Sequence, residues 1–172
     1  MNDIDLKAPI VDLTAGDPLS SWHWLVPDAP VPMMVTALGD VFVRTQQEEV
    51  WFLDTYQGLY LRAAADEQSW RVALRDPTNI ERWFAPDLVS TLRESGLHPA
   101  PDECYSPILP LAVGGTMEAV NFECSPWLLH MSLSAQTLEQ ARTHEDGASI
   151  AAFSSEGAAR TAVAPDAAAR RR

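Results

Sequence analysis

The stretch from Gly39 to Arg62, GDVFVRTQQEEVWFLDTYQGLYLR, sets short apolar runs between polar turns at nearly regular intervals. Such a pattern cannot sit on a helix, because its apolar positions recur with period two rather than 3.6. Strands are therefore predicted over 33–38, 40–44, 50–54 and 59–62. Gln46, Gln47, Glu48 and Glu49 form one hairpin turn, and Tyr56, Gln57 and Gly58 the next. In the third strand Val50 and Phe52 point one way and Trp51 and Leu53 the other. Both faces are apolar, so this strand is expected to lie centrally and to be covered on both sides. Turns this short make an antiparallel meander and leave no room for a βαβ crossover.

Helical spacing takes over beyond Ala65. Trp70, Ala73 and Leu74 fall at i, i+3 and i+4 in a helix over about 66–75 that Asp76 and Pro77 end. Ile80, Trp83 and Phe84 mark a second short helix. A third opens at Pro86, carries Leu88, Val89 and Leu92, and stops at Gly96. The aromatic residues Trp70, Trp83 and Phe84 fall on the buried stripes and are read as core. Near the start, Asp17 and Pro18 resemble a helix cap and first turn, predicting a helix over about 18–25 with Trp22 and Leu25 on one face and Trp24 turned away from Trp22. Residues 97–116, with four prolines and the pair Gly114 and Gly115, read as irregular. Strands are predicted again over 120–123 and 127–133, where Trp127, Leu129, Met131 and Leu133 alternate with Leu128, His130 and Ser132. A last helix is expected over about 135–144. The fold class is α+β, an antiparallel meander sheet packed against several short helices in a single compact domain over 1–146. The Ala-rich remainder, 147–172, is read as a tail, partly disordered or conditionally helical, because it has little large apolar surface to offset the entropy of ordering.

Charge narrows the function classes. Residues 1–146 hold 22 acids against 8 Lys and Arg, a net −14, while 147–172 hold 2 acids against 4 Arg, a net +2. A folded part this acidic disfavours nucleic acid and anionic membrane as partners and favours a basic protein. No run approaches the roughly 18 apolar residues of a membrane span. The opening MNDIDLKAPI lacks the apolar core of a secretory signal, so a cytoplasmic location is expected.

Candidate chemistry is sparse. Cys104 and Cys124 are too few for a disulfide framework and read as free thiols. With His98 and His130 they give no zinc-ligand spacing. Cys104 with His130, and Glu123 or Asp102 behind it, is the one arrangement that would suit a Cys-dependent hydrolase, although no glycine-rich elbow presents the thiol. Gly114 and Gly115 do not form a phosphate loop and are read as turn residues; no cofactor is expected. The acidic pairs Glu48, Glu49 and Asp102, Glu103 lack a calcium-loop pattern. They read as solvated turn residues or, alternatively, as parts of an acidic partner-binding surface.

Five motifs in order, LGDVFVR, VWFLDTYQGLYLRAA, WFAPDLVSTLRESGL, ECYSPILPLAVGG and VNFECSPWLLHMSLSAQTLEQAR, together resemble the C-terminal domain of type VI secretion immunity proteins that protect against a secreted DNase. The resemblance spans about residues 34–142. It implies a small α+β domain without catalytic residues that neutralises a cognate toxin or effector protein by contact. Two departures stand out. The segment commonly read as GQIHxQ is AQTLEQ here, from Ala135 to Gln140. Two-domain members carry a whole domain ahead of this one, where this chain has only the residues before about Met34, so no contact of that domain transfers. An adaptor or scaffold for a secreted effector is the alternative binding role.

Overall fold

In the computed structural model, the backbone is described for residues 6–159 and the side chains for 6–143. The chain divides into two units, Met1–Glu139 and Gln140–Arg172. The first unit is built on a four-stranded antiparallel sheet in the order β1 (Val31–Val35), β2 (Val41–Arg44), β3 (Val50–Asp54) and β4 (Leu59–Ala64). It is the predicted meander, with β3 inside the sheet. Phe42 pairs with Phe52, and Val41 with Leu53, so each face carries a continuous apolar set.

The two faces bury against different layers. On one, Phe42, Val50 and Phe52 meet Trp70, Trp83, Phe84, Val89 and Leu92 from α1 (Glu67–Ala73), α2 (Pro77–Phe84) and α3 (Pro86–Glu94). Phe42 is the hub, its ring centroid 4.8 Å from that of Phe52, 5.3 Å from Trp70 and 5.2 Å from Trp83. Contacts of this kind stabilise by about 0.5–1.5 kcal/mol per pair beyond their buried area. These helices are short because each is punctuated in sequence. The Asp66 carboxylate accepts from Ser69 N at 2.7 Å, the Asp76 carboxylate accepts from Thr78 N at 2.8 Å, and Pro77 and Pro86 occupy first-turn positions. On the other face, Val41, Val43 and Leu53 pack against Leu19, Trp22, Val26, Trp127, Met131 and Ala135.

That second layer departs from the sequence expectation. Residues 127–133 are not a strand: α4 runs Trp127–Ala159 and begins directly after β6 (Phe122–Pro126). The buried positions Trp127, His130, Met131 and Ala135 recur at i, i+3, i+4 and i+8, a helical stripe, whereas Leu129 and Leu133 are exposed. Alternation over seven residues imitated a strand because the helical stripe and the period-two set share Trp127 and Met131. The segment around Pro18 forms only one 3-10 turn, Ser20–Trp22. Asp17 caps nothing there, since its φ of 48° points the chain into the left-handed region. The tight turn also brings Trp24 onto Trp22, stacked at 5.8 Å, rather than turning it away. Within the stretch read as irregular, β5 (Glu103–Pro107) pairs antiparallel with β6 to make a two-stranded ribbon.

In the second unit the described backbone is the part of α4 up to Ala159; the rest of the Ala-rich tail, Arg170 to Arg172 included, lies outside the described residues.

Candidate functional site

Three strained or polar elements converge at the turn between β1 and β2. Gly39, at φ 92°, is wedged so tightly that an added Cβ would lie 2.6 Å from the His130 ring and 3.0 Å from Cys104 Sγ. Its carbonyl accepts from Trp127 Nε1 at 3.1 Å. Beside it runs a chain of buried polar groups. Asp40 Oδ1 accepts from Thr55 N at 2.7 Å and from Thr55 Oγ1 at 2.8 Å. Thr55 Oγ1 lies 2.9 Å from His130 Nε2, and His130 Nδ1 lies 2.9 Å from Ser106 Oγ. With Asp40 ionised, one proton arrangement satisfies every member: Ser106 donates to Nδ1, Nε2–H donates to Thr55, and Thr55 donates to Asp40. Burial, with the Asp54 charge nearby, pushes the Asp40 carboxyl well above the usual carboxylate range. Burial pulls the His130 imidazole down to about 4, so it is neutral at physiological pH. The Tyr56 hydroxyl lies between the carbonyls of Leu38 and Tyr105 and closes the polar cluster.

The cluster tests the hydrolase arrangement directly. Cys104 and His130 both pack on Gly39, yet the two ring nitrogens bond Thr55 and Ser106 and not the thiol. His130 is 1% exposed, not a residue on the polar side of a strand. Cys104 is buried, and desolvation first, then the Asp40 charge, push its thiol well above the ordinary range. Thiolate is the nucleophilic form, so this environment works against the chemistry. Glu123 is exposed opposite Ser106 on the ribbon, and Asp102 is spent on the backbone. The buried chain therefore acts as a tie, joining the β1–β2 turn, the β3–β4 turn, β5 and α4.

A second feature lies at the far end of the ribbon. Between β5 and β6 the chain exposes Ile108, Leu109, Val113, Met117 and Val120, with Val120 at 85%. This loop is nevertheless built. The Asn121 side chain donates to the carbonyls of Leu109 and Thr116, each at 2.9 Å, and accepts from Leu109 N at 3.0 Å. Gly115 passes so close to Leu109 that a Cβ would lie 1.8 Å from its carbonyl oxygen. A hydrogen-bonded loop that carries five large exposed apolar side chains is a candidate contact surface. The expectation of irregular chain over 97–116 and of a strand from Val120 gives these residues no role; Val120 lies in a 3-10 turn, Ala119–Asn121, and the strand starts only at Phe122. The usable signal was the run ILPLAV, apolar yet without either period.

The acidic pairs lie apart. Glu48 and Glu49 occupy the turn beyond the C-terminal end of β2, whereas Tyr105 N donates to Ala37 O at the turn preceding β2, placing Asp102 and Glu103 toward the opposite end. Glu48 is exposed, at φ 65°, 3.4 Å from Arg44. Glu49 pairs with Arg62 at 2.7 Å and accepts from Trp51 Nε1. The Asp102 carboxylate accepts from Val11 N at 2.8 Å, and that of Glu103 accepts from Ala100 N at 2.9 Å. Three of the four carboxylates thus carry a local structural duty.

Residues 64–137 match the family model described as T6SS immunity protein Tdi1, C-terminal. The matched segment lies within the span of the resemblance and is shorter than it. It starts at the last residue of β4 and takes in α1 to α3, the ribbon, the exposed loop and the buried stripe of α4. It contains Ser106, His130, Asp102 and Glu103; Asp40, Thr55, Glu48 and Glu49 fall outside it. The match supports an immunity role in general terms, and an immunity family of this kind is generally non-catalytic. No curated protein matches the chain. Among the described residues no helix is long and apolar enough to cross a membrane, and no cluster of His, Cys, Asp and Glu could hold a metal ion.

Proposed function

We propose that this protein is an immunity protein that neutralises a cognate type VI toxin by direct contact, without catalysis. The observation that carries the reading is the placement of the ordered apolar loop, Ile108 to Val120, inside the segment that matches the immunity family. Large apolar side chains fixed on a rigid loop can bury against a partner with little ordering cost, which is how a few anchors come to dominate binding energy. Glu118 within the loop and Glu123 beside it supply an acidic rim suited to a basic toxin. Glu48, Glu49, Asp102 and Glu103 add to the negative field. Because most of them are tied to their own chain, their contribution is to steer the approach of the partner rather than to anchor it. The chain acts in the cytoplasm on this reading, where it would meet an incoming toxin.

The test is survival. Cells expressing a cognate toxin should live when the protein is co-expressed and die without it, and the two purified proteins should form a stable complex. A complex that forms without protection would instead make the protein an adaptor. Protection that requires Cys104, lost in Cys104→Ser, would make it an enzyme.

A further inference from the structure

A groove of about 630 Å³ opens where the segment before β1, β1 itself and the α1–α2 region meet, and neither the buried polar chain nor the apolar loop uses it. Its charge runs against that of the molecule. Residues 1–146 hold 22 acids and 8 Lys and Arg, yet three of those eight, Lys7, Arg71 and Arg75, line this groove and no acid does. Glu67, outside the lining, pairs with Arg71 at 2.6 Å. Among the described residues Lys7 and Arg75 form no ion pair, whereas Arg44 and Arg62 pair with Glu48 and Glu49. Of the acids nearest in sequence, Asp66 and Asp76 accept from first-turn N–H groups of α1 and α2, Glu81 is exposed and does not line the groove, and Asp3 and Asp5 lie outside the described residues. Arg71 and Arg75 suit the negative end of α1. Lys7 has no such duty, because it comes from a separate segment whose backbone bridges to Thr36. The wall supplies a second observation. Trp70, part of that wall, is 7% exposed, and its buried Nε1–H finds no acceptor among the described residues. A buried donor without a partner is costly and calls for an explanation. Every polar side chain lining the groove is thus a donor, and the rest of the lining, Met34 and Ile80 included, is apolar.

We propose that this groove binds a small molecule, a phosphate monoester with an apolar body. A set of donors alone selects a ligand rich in acceptors, and the oxygens of a phosphate accept from several donors at once in a geometry that guanidinium groups match. Its charge of about two negative units balances Lys7 and Arg75. The apolar lining covers the organic part, and the volume falls in the middle of the range of small-molecule pockets. An acidic protein surface fits less well, because it would bring many like charges up to a strongly acidic molecule.

The test titrates the full chain, isotope-labelled, with phenyl phosphate, inorganic phosphate, phenylacetate and benzyl alcohol. Phenyl phosphate should bind saturably and move the Trp70 indole N–H resonance together with the amides of Lys7, Met34 and Arg75. That indole resonance is assigned by its loss in Trp70→Phe. Lys7→Gln and Arg75→Gln should each weaken binding about tenfold, the loss of one charge-assisted contact, while Arg62→Gln, outside the groove, should leave it unchanged. Lys7 and Arg75 are exposed, so both variants should keep the wild-type melting temperature. Inorganic phosphate and phenylacetate should each bind about tenfold more weakly than phenyl phosphate, and benzyl alcohol not at all. Phenylacetate or inorganic phosphate binding as tightly, a Trp70 indole that stays unmoved, or an equal loss in Arg62→Gln overturns the proposal. The site does not depend on a toxin, so Arg75→Gln should still protect cells. Loss of protection in that variant would make the groove part of the toxin contact and overturn the small-molecule assignment, while immunity stands.

Discussion

The polar chain around His130 and the apolar loop around Val120 reverse the usual distribution of residue types. One buries an aspartate, a threonine and a histidine in the core; the other holds five large apolar side chains in solvent. The buried groups are mutually satisfied, so their hydrogen bonds need nothing from outside. The loop has satisfied its backbone through Asn121 while leaving its side chains without cover, so its requirement points outward.

The sharpest way to break the comparison is at Gly39, whose conformation Gly96 shares. Both sit at φ 92°, but an added Cβ meets the His130 ring at 2.6 Å in one case and nothing within 4 Å in the other. Gly39→Ala should lose about 3 kcal/mol or more in urea unfolding, the sum of backbone strain and overpacking, and Gly96→Ala about 1 kcal/mol. Equal losses would show that the β1–β2 turn is not a packed junction.

The His130 environment gives the next largest effect. Its folded value of about 4, against an ordinary 6.5, means that the unfolded chain takes up the proton first as the solution is acidified. The stabilisation is complete above about pH 6.5 and is lost progressively as pH falls to 4, by about 3 kcal/mol in total. Asp40, whose folded value is raised, works in the opposite direction and loses stability as pH rises. Unfolding curves of wild type and His130→Gln across this window therefore isolate the histidine as their difference, and parallel curves would remove it from the buried chain.

The loop should behave in the reverse manner. Ile108→Asp and Val120→Asp remove exposed side chains and should change stability by less than about 0.5 kcal/mol, yet each should weaken toxin binding about tenfold or more in calorimetry. A loss of fold without a loss of binding would place the loop with the core. The smallest effect belongs to Glu48, whose pairing with Arg44 is solvent-exposed. Glu48→Gln should slow toxin association about twofold at low salt in stopped flow and leave dissociation unchanged; a change in dissociation would make Glu48 an anchor.

The legible parts of the fold were those with a sustained local period. The meander and the three helices α1 to α3 follow from alternation, from Asp-Pro punctuation and from Gly96. Segments too short to establish a period were misread. Seven residues from Trp127 satisfied both templates, and β5 was hidden among prolines because a strand in a two-stranded ribbon needs only five residues and one partner. The candidate site was legible in fragments. Cys104 and His130 both approach Gly39, but the partners that claim the imidazole, Thr55 and Ser106, lie 75 and 24 residues away and carry no motif.

The sequence alone determined the acidic balance, the α+β class and the two apolar faces of β3, because these depend on composition and on order between near neighbours. It also carried the family signal across 64–137. Only the tertiary structure decided which polar residues are spent inside the molecule and which apolar residues are left outside it. Burial is a property of all the elements that pack on a residue. For His130 those elements come from β3 to β4, from β5 and from the Gly39 turn, and no local stretch of sequence contains them all.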